Sequence, residues 1–159
     1  MNWADVQSVY PDTSYWLAMR CVADSRHDAW AGFHPNIEHA RLIWSPWTHF
    51  ELLNALRQLT RTTPPALERT GARQIIAALE RELARGYYDL AILDWRDELR
   101  TCRELSATHG YELAMRSGDV VHVAVAKLQG ADLFVTCDAD QHALAEAAGL
   151  RTILVGGSR

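Results

Sequence analysis

Apolar residues recur along the chain in two alternating rhythms. Short apolar runs at Ser8–Tyr10, Arg41–Trp44, Tyr87–Leu93, Leu133–Thr136 and Thr152–Val155 predict strands. Between them, helical spacing covers Thr13–Ala23, Thr48–Arg61, part of Pro65–Arg85, a stretch from an Asp94 cap toward His109, and Gly118–Gln129. A last helix spans Ala139–Ala148 with Gly149 as its C-cap. Asp24–Asn36, which holds Gly32 and Pro35, fits neither rhythm. Arg61-Thr62-Thr63-Pro64-Pro65 reads as a loop, because each proline lacks a donor and restricts the residue before it. Strands alternating with helices predict an α/β fold with a mainly parallel sheet and right-handed crossovers, in one domain over residues 1–159.

In open parallel sheets, ligands bind beyond the carboxyl ends of the strands, so chemistry is sought there. Asp12-Thr13-Ser14 follows the first strand and Cys137-Asp138 follows Leu133–Thr136. Glu51 lies in the first turn predicted for the helix at Thr48, and Asp119 in that of the helix at Gly118. Each acid alone has a plainer explanation. Asp12 suits a helix N-cap, and Thr48-His49-Phe50-Glu51 suits a capping box. Asp119 is favoured by a helix dipole, and Asp138-Ala139-Asp140-Gln141 again suits a cap. What the four share is one edge of the sheet.

Clustering acids is costly: two carboxylates 4 Å apart repel by about 4 kcal/mol at an effective dielectric of 20. Cations or protons must relieve that repulsion. Oxygen ligands without Cys or His suit a hard ion, Mg²⁺ or Mn²⁺, which activates water and stabilises phosphoryl charge. That is the chemistry of phosphodiester hydrolysis. The chain has 20 acidic and 16 basic residues, so these four acids alone account for its net charge of −4. The helix faces agree. Leu52, Leu53, Leu56 and Leu59 form one stripe, and Glu51, Asn54, Gln58 and Arg61 a polar one beside it. On the later helix, Val120, Val121, Ala124, Val125 and Leu128 face inward, while Asp119 and His122 share the other side.

Composition narrows the alternatives. With 48% hydrophobic and 23% charged residues the chain is globular, and its acidic balance excludes nucleic-acid binding by bulk charge. The start, Met1-Asn2-Trp3-Ala4-Asp5, has no basic region followed by an apolar stretch, and no run of about 18 apolar residues occurs. The expectation is a cytoplasmic protein without a membrane segment. The three cysteines, Cys21, Cys102 and Cys137, form no CxxC and read as buried thiols. His27, His34, His39 and His49 lack zinc-site spacing, and no GxSxG occurs. Trp16, Trp30, Phe33, Trp44, Trp47 and Phe50 read mostly as core, some of them as a groove for a partner. Arg20, Arg41, Arg57, Arg61, Arg96 and Arg116 are candidates for RNA phosphates, Arg61 and Arg116 foremost.

Five ordered segments carry a resemblance. They are Asp12-Thr13-Ser14, Phe50-Glu51-Leu52-Leu53-Asn54-Ala55-Leu56, Gly118-Asp119-Val120-Val121-His122-Val123-Ala124, Gly130–Asp138 and Ala145–Leu150. Together they resemble the PIN domain, and within it the VapC-type toxins of bacterial toxin–antitoxin pairs. The resemblance implies a PIN-like three-layer α/β fold with a mainly parallel sheet of about five strands flanked by helices. It implies an endoribonuclease dependent on Mg²⁺ or Mn²⁺, with Asp12, Glu51, Asp119 and Asp138 as metal ligands and catalytic acids. Ser14 and Thr136 match supporting hydroxyls, Asn54 stands beside Glu51, and Asp140 is an additional or substitute ligand. It further implies an RNA substrate, a VapB-like antitoxin as protein partner, and a homodimer. Two places depart from the pattern: Pro11, where the first strand usually continues, and the short His- and aromatic-rich segment between Ala23 and Trp44. They keep a second expectation open, a catalytically silent module that binds RNA or a protein. A metal-dependent nuclease acting on DNA is a third.

Overall fold

Strands and helices alternate through most of the chain in a computed structural model that describes residues 2–157. Met1, Ser158 and Arg159 lie outside the described residues. The elements are β1 (Ser8–Pro11), α1 (Thr13–Arg20), α2 (His27–Phe33), β2 (Arg41–Trp44), α3 (Pro46–Leu59), α4 (Arg69–Ala84), β3 (Asp89–Leu90), α5 (Trp95–His109), α6 (Ser117–Leu128), β4 (Leu133–Thr136), α7 (Ala139–Ala147) and β5 (Thr152–Leu154). The five strands are parallel, in the order β3-β2-β1-β4-β5, so β1 sits at the centre between β2 and β4.

Alternation along the central strands builds two cores. Val9, Leu133 and Val135 point to one face, against Tyr15 and Trp16 of α1, Leu52 and Leu56 of α3 and Leu79 of α4. Tyr10 and Phe134 point to the other, against Leu105 of α5, the apolar residues of α6 and Leu144 of α7. Helices thus cover both faces, which is the three-layer α/β arrangement the sequence predicts.

Pro11 is accommodated without displacing the end of β1. The ladder to β2 pairs Ser8 and Val9 only, whereas Pro11 pairs with Val135 of β4. Neighbouring residues of a strand direct their backbone groups to opposite sides, and Asp12 N–H donates to Val135 C=O on the β4 side at 3.0 Å. The missing donor of Pro11 therefore falls on the β2 side, beyond the last paired residue. Its carbonyl accepts from the Trp16 indole at 3.2 Å.

Several boundaries differ from expectation, each for a local reason. α1 stops at Arg20 rather than Ala23, because Asp24 folds the chain into a turn by accepting from Arg26 N–H at 2.9 Å. The unassigned stretch forms α2, whose Trp30 lies between His27 and His34 with ring centroids 5.4 and 5.2 Å away. α3 begins at Pro46 with Ser45 as its N-cap, accepting from Thr48 N–H at 3.0 Å. Thr48 is therefore not the cap, and Glu51 is released from any capping box. β3 is only Asp89–Leu90, which pair with Ile43 and Trp44 at the end of β2, and Tyr87 and Ile92 on either side are exposed. α6 is buried on all sides from Val120 to Ala126, His122 included, because it packs against α3, α5 and α7 together, while Leu128 is exposed. Of the aromatic cluster, Trp16 and Trp44 are core and Phe50 is exposed.

Candidate functional site

A cavity of about 340 Å³ opens at the carboxyl edge of the central strands. Asp12, Glu51, Asp119 and Asp138 all line it, with Thr13, Ser14, Arg26, Arg116, Gly118, His122 and Gln141 among their neighbours. Four separate stretches of chain bring the acids there: the ends of β1 and β4, the middle of α3 and the first turn of α6. Three of them also cap helices. Asp12 accepts from Tyr15 N–H at 3.0 Å, and Asp138 from Asp140 and Gln141 N–H at 2.9 and 3.2 Å. Asp119 accepts from Arg116 N–H at 3.2 Å. The plainer explanation and the shared edge thus hold at once: capping is what turns these carboxylates toward one space.

Asp12 is 2% exposed and held by two hydroxyls. Ser14 Oγ lies 2.7 and 2.8 Å from its two oxygens, and Thr136 Oγ1 donates to it at 2.8 Å. Those hydroxyls are themselves oriented. Ser14 accepts from Cys137 N–H at 2.8 Å and Thr136 from Asp138 N–H at 2.9 Å, which turns their protons toward Asp12. Burial nevertheless raises the Asp12 carboxyl above its ordinary value; the charge of His122 and these hydrogen bonds only partly offset it.

Glu51 is tied to the core through His122, which is 1% exposed. The imidazole Nε2 lies 2.7 Å from Glu51 Oε2, and the Thr13 hydroxyl also donates to that oxygen. A carboxylate only accepts, so Nε2 carries a proton. On the far side, Nδ1 lies 3.0 Å from the Tyr10 hydroxyl, which meets Ser45 and Thr48 at 3.0 and 3.1 Å. Burial alone would raise the Glu51 carboxyl, but the His122 hydrogen bond and charge, with Thr13, outweigh it and hold the carboxyl below its ordinary value. Gly118 stands against this group. A Cβ there would come within 2.9 Å of Glu51 Oε1, so a larger residue would press on the acid.

Asp119 and Asp138 are held differently, by one cation. Arg116 Nε donates to Asp119 Oδ2 at 3.1 Å, and a terminal nitrogen donates to Asp138 Oδ2 at 2.6 Å. Its side chain is 74% exposed. The structure thus places Arg116 across the acids. As they stand, among the described residues, no group of three carboxylate, imidazole or thiol side chains is arranged to hold one metal ion. The donor set still fits a hard divalent cation. It is all oxygen, it faces one cavity, and one of its pairs already binds a positive group.

The remaining candidates lie elsewhere. Asn54 and Asp140 are exposed and do not line the cavity, and Arg61 is exposed beyond the end of α3. Gln141 lines it instead. It is 2% exposed, and its Nε2 reaches the Asp119 carbonyl at 3.4 Å rather than turning back to cap α7. Burial and the nearby Asp12 charge push the Cys137 thiol up to about 12, which removes it as a thiolate nucleophile. The histidines singled out in the sequence go to separate partners: His27 to Ala18 C=O, His34 to the Tyr15 hydroxyl, His39 to Trp3 C=O and His49 to Glu80.

Known structures share this frame. VapC20 of Mycobacterium tuberculosis, described as a toxin that cleaves the sarcin–ricin loop, aligns with a TM-score of 0.63 at 20% identity, covering 89% of this chain and 95% of that one. VapBC-1 of nontypeable Haemophilus influenzae aligns at 0.64 and 12% identity, over 95% and 100%. VapBC2 of Rickettsia felis, bound to a DNA fragment from its promoter, aligns at 0.63 and 14%, over 93% and 98%. No curated protein sequence matches the chain. The family model described as PIN domain matches residues 9–147, from the middle of β1 to the end of α7, and therefore takes in all four acids. The chain belongs to the PIN domain family.

Proposed function

We propose that the protein is an endoribonuclease that depends on Mg²⁺ or Mn²⁺ and acts as the toxin of a toxin–antitoxin pair. The observation that carries this reading is the convergence of four acids, from four separate stretches of chain, on one cavity at the strand ends. VapC20, described as cleaving the sarcin–ricin loop, supports RNA as the substrate, and the VapBC structures support an antitoxin partner.

Asp12, Glu51, Asp119 and Asp138 would hold the cation. Bound there, it would supply an activated water and charge stabilisation on the phosphoryl group. The chain's own residues do the rest. Ser14 and Thr136 donate to Asp12, which favours its charged form against burial, and aim it into the cavity. His122 and Thr13 do the same for Glu51, and Gly118 leaves it room. Arg116 offsets one of the two charges on Asp119 and Asp138, and would be free to meet a phosphate if a bound cation took its place.

The test is cleavage of structured RNAs by the purified protein in Mg²⁺ or Mn²⁺, against EDTA and against Asp119→Asn. Metal-dependent cutting that vanishes in the variant is the expected result. One observation favours a second reading, a silent binding module: the Arg116 bridge already satisfies two of the acids. Absence of cutting, together with no stabilisation of the fold by either metal, would establish that reading instead.

A further inference from the structure

Away from the acids, α3 and α4 enclose a groove of about 450 Å³. Arg57 of α3 and Thr60 just past its end line it, with Arg69, Ala72, Arg73 and Ile76 from α4. Among the described residues, none of these three arginines stands within ion-pair distance of a carboxylate. Arg20, Arg26, Arg41, Arg100 and Arg116 each do. The sequence segregates charge in the same way. From Leu52 to Leu79 there are four arginines and a single acid, Glu68, in a chain whose net charge is −4. A guanidinium is the group that pairs with a phosphate through two parallel hydrogen bonds. Three guanidinium groups facing one concave space repel one another until an anion lies between them.

We propose that the groove between α3 and α4, lined by Arg57, Arg69 and Arg73, is a subsite for the phosphate backbone of the RNA substrate. This rests on the ribonuclease reading above and deepens it. Without a cation the acid cavity repels a polyanion, so a hold elsewhere on the surface adds to substrate binding. α3 links the two places. Glu51 lines the cavity and Arg57, six residues on, lines the groove, about 9 Å further along the helix axis. The two side chains leave α3 about 120° apart around its axis, so a strand held in the groove passes round α3 to the acids. No aromatic residue lines the groove, so it offers bases nothing to stack on. It contributes affinity and positioning, not base choice.

The test is fluorescence anisotropy of a labelled single-stranded RNA with the full chain in EDTA, where no cutting intervenes. Three proteins are compared: wild type, the triple variant Arg57→Ala/Arg69→Ala/Arg73→Ala, and a control of equal charge, Arg96→Ala/Arg103→Ala/Arg151→Ala. The groove variant is expected to bind at least tenfold more weakly than the control. Its slope of log affinity against log salt should fall by about 2, since each single-strand phosphate contact contributes about 0.7. In Mn²⁺ its KM should rise while kcat holds. Single Arg→Gln variants at the three exposed positions keep the test available if the triple variant misfolds, each removing about a third of the slope change. Equal weakening by groove variant and control would overturn the proposal. So would wild-type RNA binding accompanied by loss of an oligoglutamate peptide, which would make the groove a docking site for an acidic protein segment. If wild type cuts RNA and the groove variant binds and cuts as well, only the groove assignment falls. If wild type neither binds nor cuts RNA, the ribonuclease reading falls with it.

Discussion

The acid cavity has two halves with opposite construction. Asp12 and Glu51 are held from within, by hydroxyls and an imidazole that the core positions. Asp119 and Asp138 sit at helix N-termini and are held from outside, by the exposed Arg116. In the first half, neutral donors and His122 are part of the packing, and removing one leaves a buried group without its partner. In the second, the partner is a flexible cation on the surface, and another cation can replace it. The fold thus prepares one side of the site permanently and keeps the other exchangeable.

The strongest way to break this comparison is through the exchangeable half. Asp119→Asn or Asp138→Asn should lower RNA cleavage roughly 10²–10³-fold, the scale of losing one preorganised electrostatic group. Thermal melting should barely move, because the surface pairs with Arg116 are worth under about 1 kcal/mol. Retained cleavage would mean that these two acids do not belong to the chemistry.

The half held by core partners should respond in stability as well as in function. His122→Leu removes one partner from each of Glu51 and Tyr10, leaving Thr13 on the first and Ser45 and Thr48 on the second, at a cost of about 2 kcal/mol. It should weaken divalent-cation binding, read by titration calorimetry, by roughly 10- to 100-fold, as loss of a ligand's orienting neighbour does. His122→Gln, which retains a donor, should restore part of the binding. If His122→Leu binds the cation as wild type does, the imidazole is only a packing element.

Asp12 and the half-buried Glu51 should also differ in sign with pH. Asp12 is raised above its ordinary 3.8 by burial, so its contribution to stability is present below that value and lost as pH rises through the folded one. Asp12→Asn should therefore melt a few degrees higher at pH 7 while losing activity, and the gain should shrink below pH 4. Glu51 is the reverse. Burial would raise it, but His122 and Thr13 prevail, so its contribution is present above 4.5 and lost as pH falls. Glu51→Gln should melt lower at pH 7, and melting curves across pH 3–8 would show whether the slopes oppose. The smallest effect belongs to Arg116→Ala. It should tighten divalent-cation binding a few-fold, since a pair worth under about 1 kcal/mol no longer competes. Weaker binding in that variant would show that Arg116 helps to hold the cation site.

Much of this arrangement was legible in the sequence, and the gaps have physical causes. The buried runs of β1 and β4 and the periodicity of α3 and α6 declared the frame, and acids at strand ends followed from the rule for parallel sheets. α2 was not legible because a short helix with Gly32 and Pro35 around it owes its stability to contacts such as Trp3 against Phe33, which no local pattern records. The sequence placed His122 three positions from Asp119, on the side of the helix away from its apolar stripe, but not its depth. Only the packing of α6 on every side shows that it is buried. The reach of Arg116 to Asp138, 22 residues away, depends on how α6 and α7 start beside each other, which spacing within one helix does not reveal.

The outer strands of the sheet carry a consequence for association. β3 has two residues and β5 three, and β3 bears the Arg41–Asp89 ion pair across its only ladder. An incoming strand would find two or three backbone rungs on either side, too few to hold a chain by main-chain pairing alone. Sheet-to-sheet aggregation is discouraged by brevity rather than by a covering element. Whatever this protein recruits must grip side chains on its helical layers.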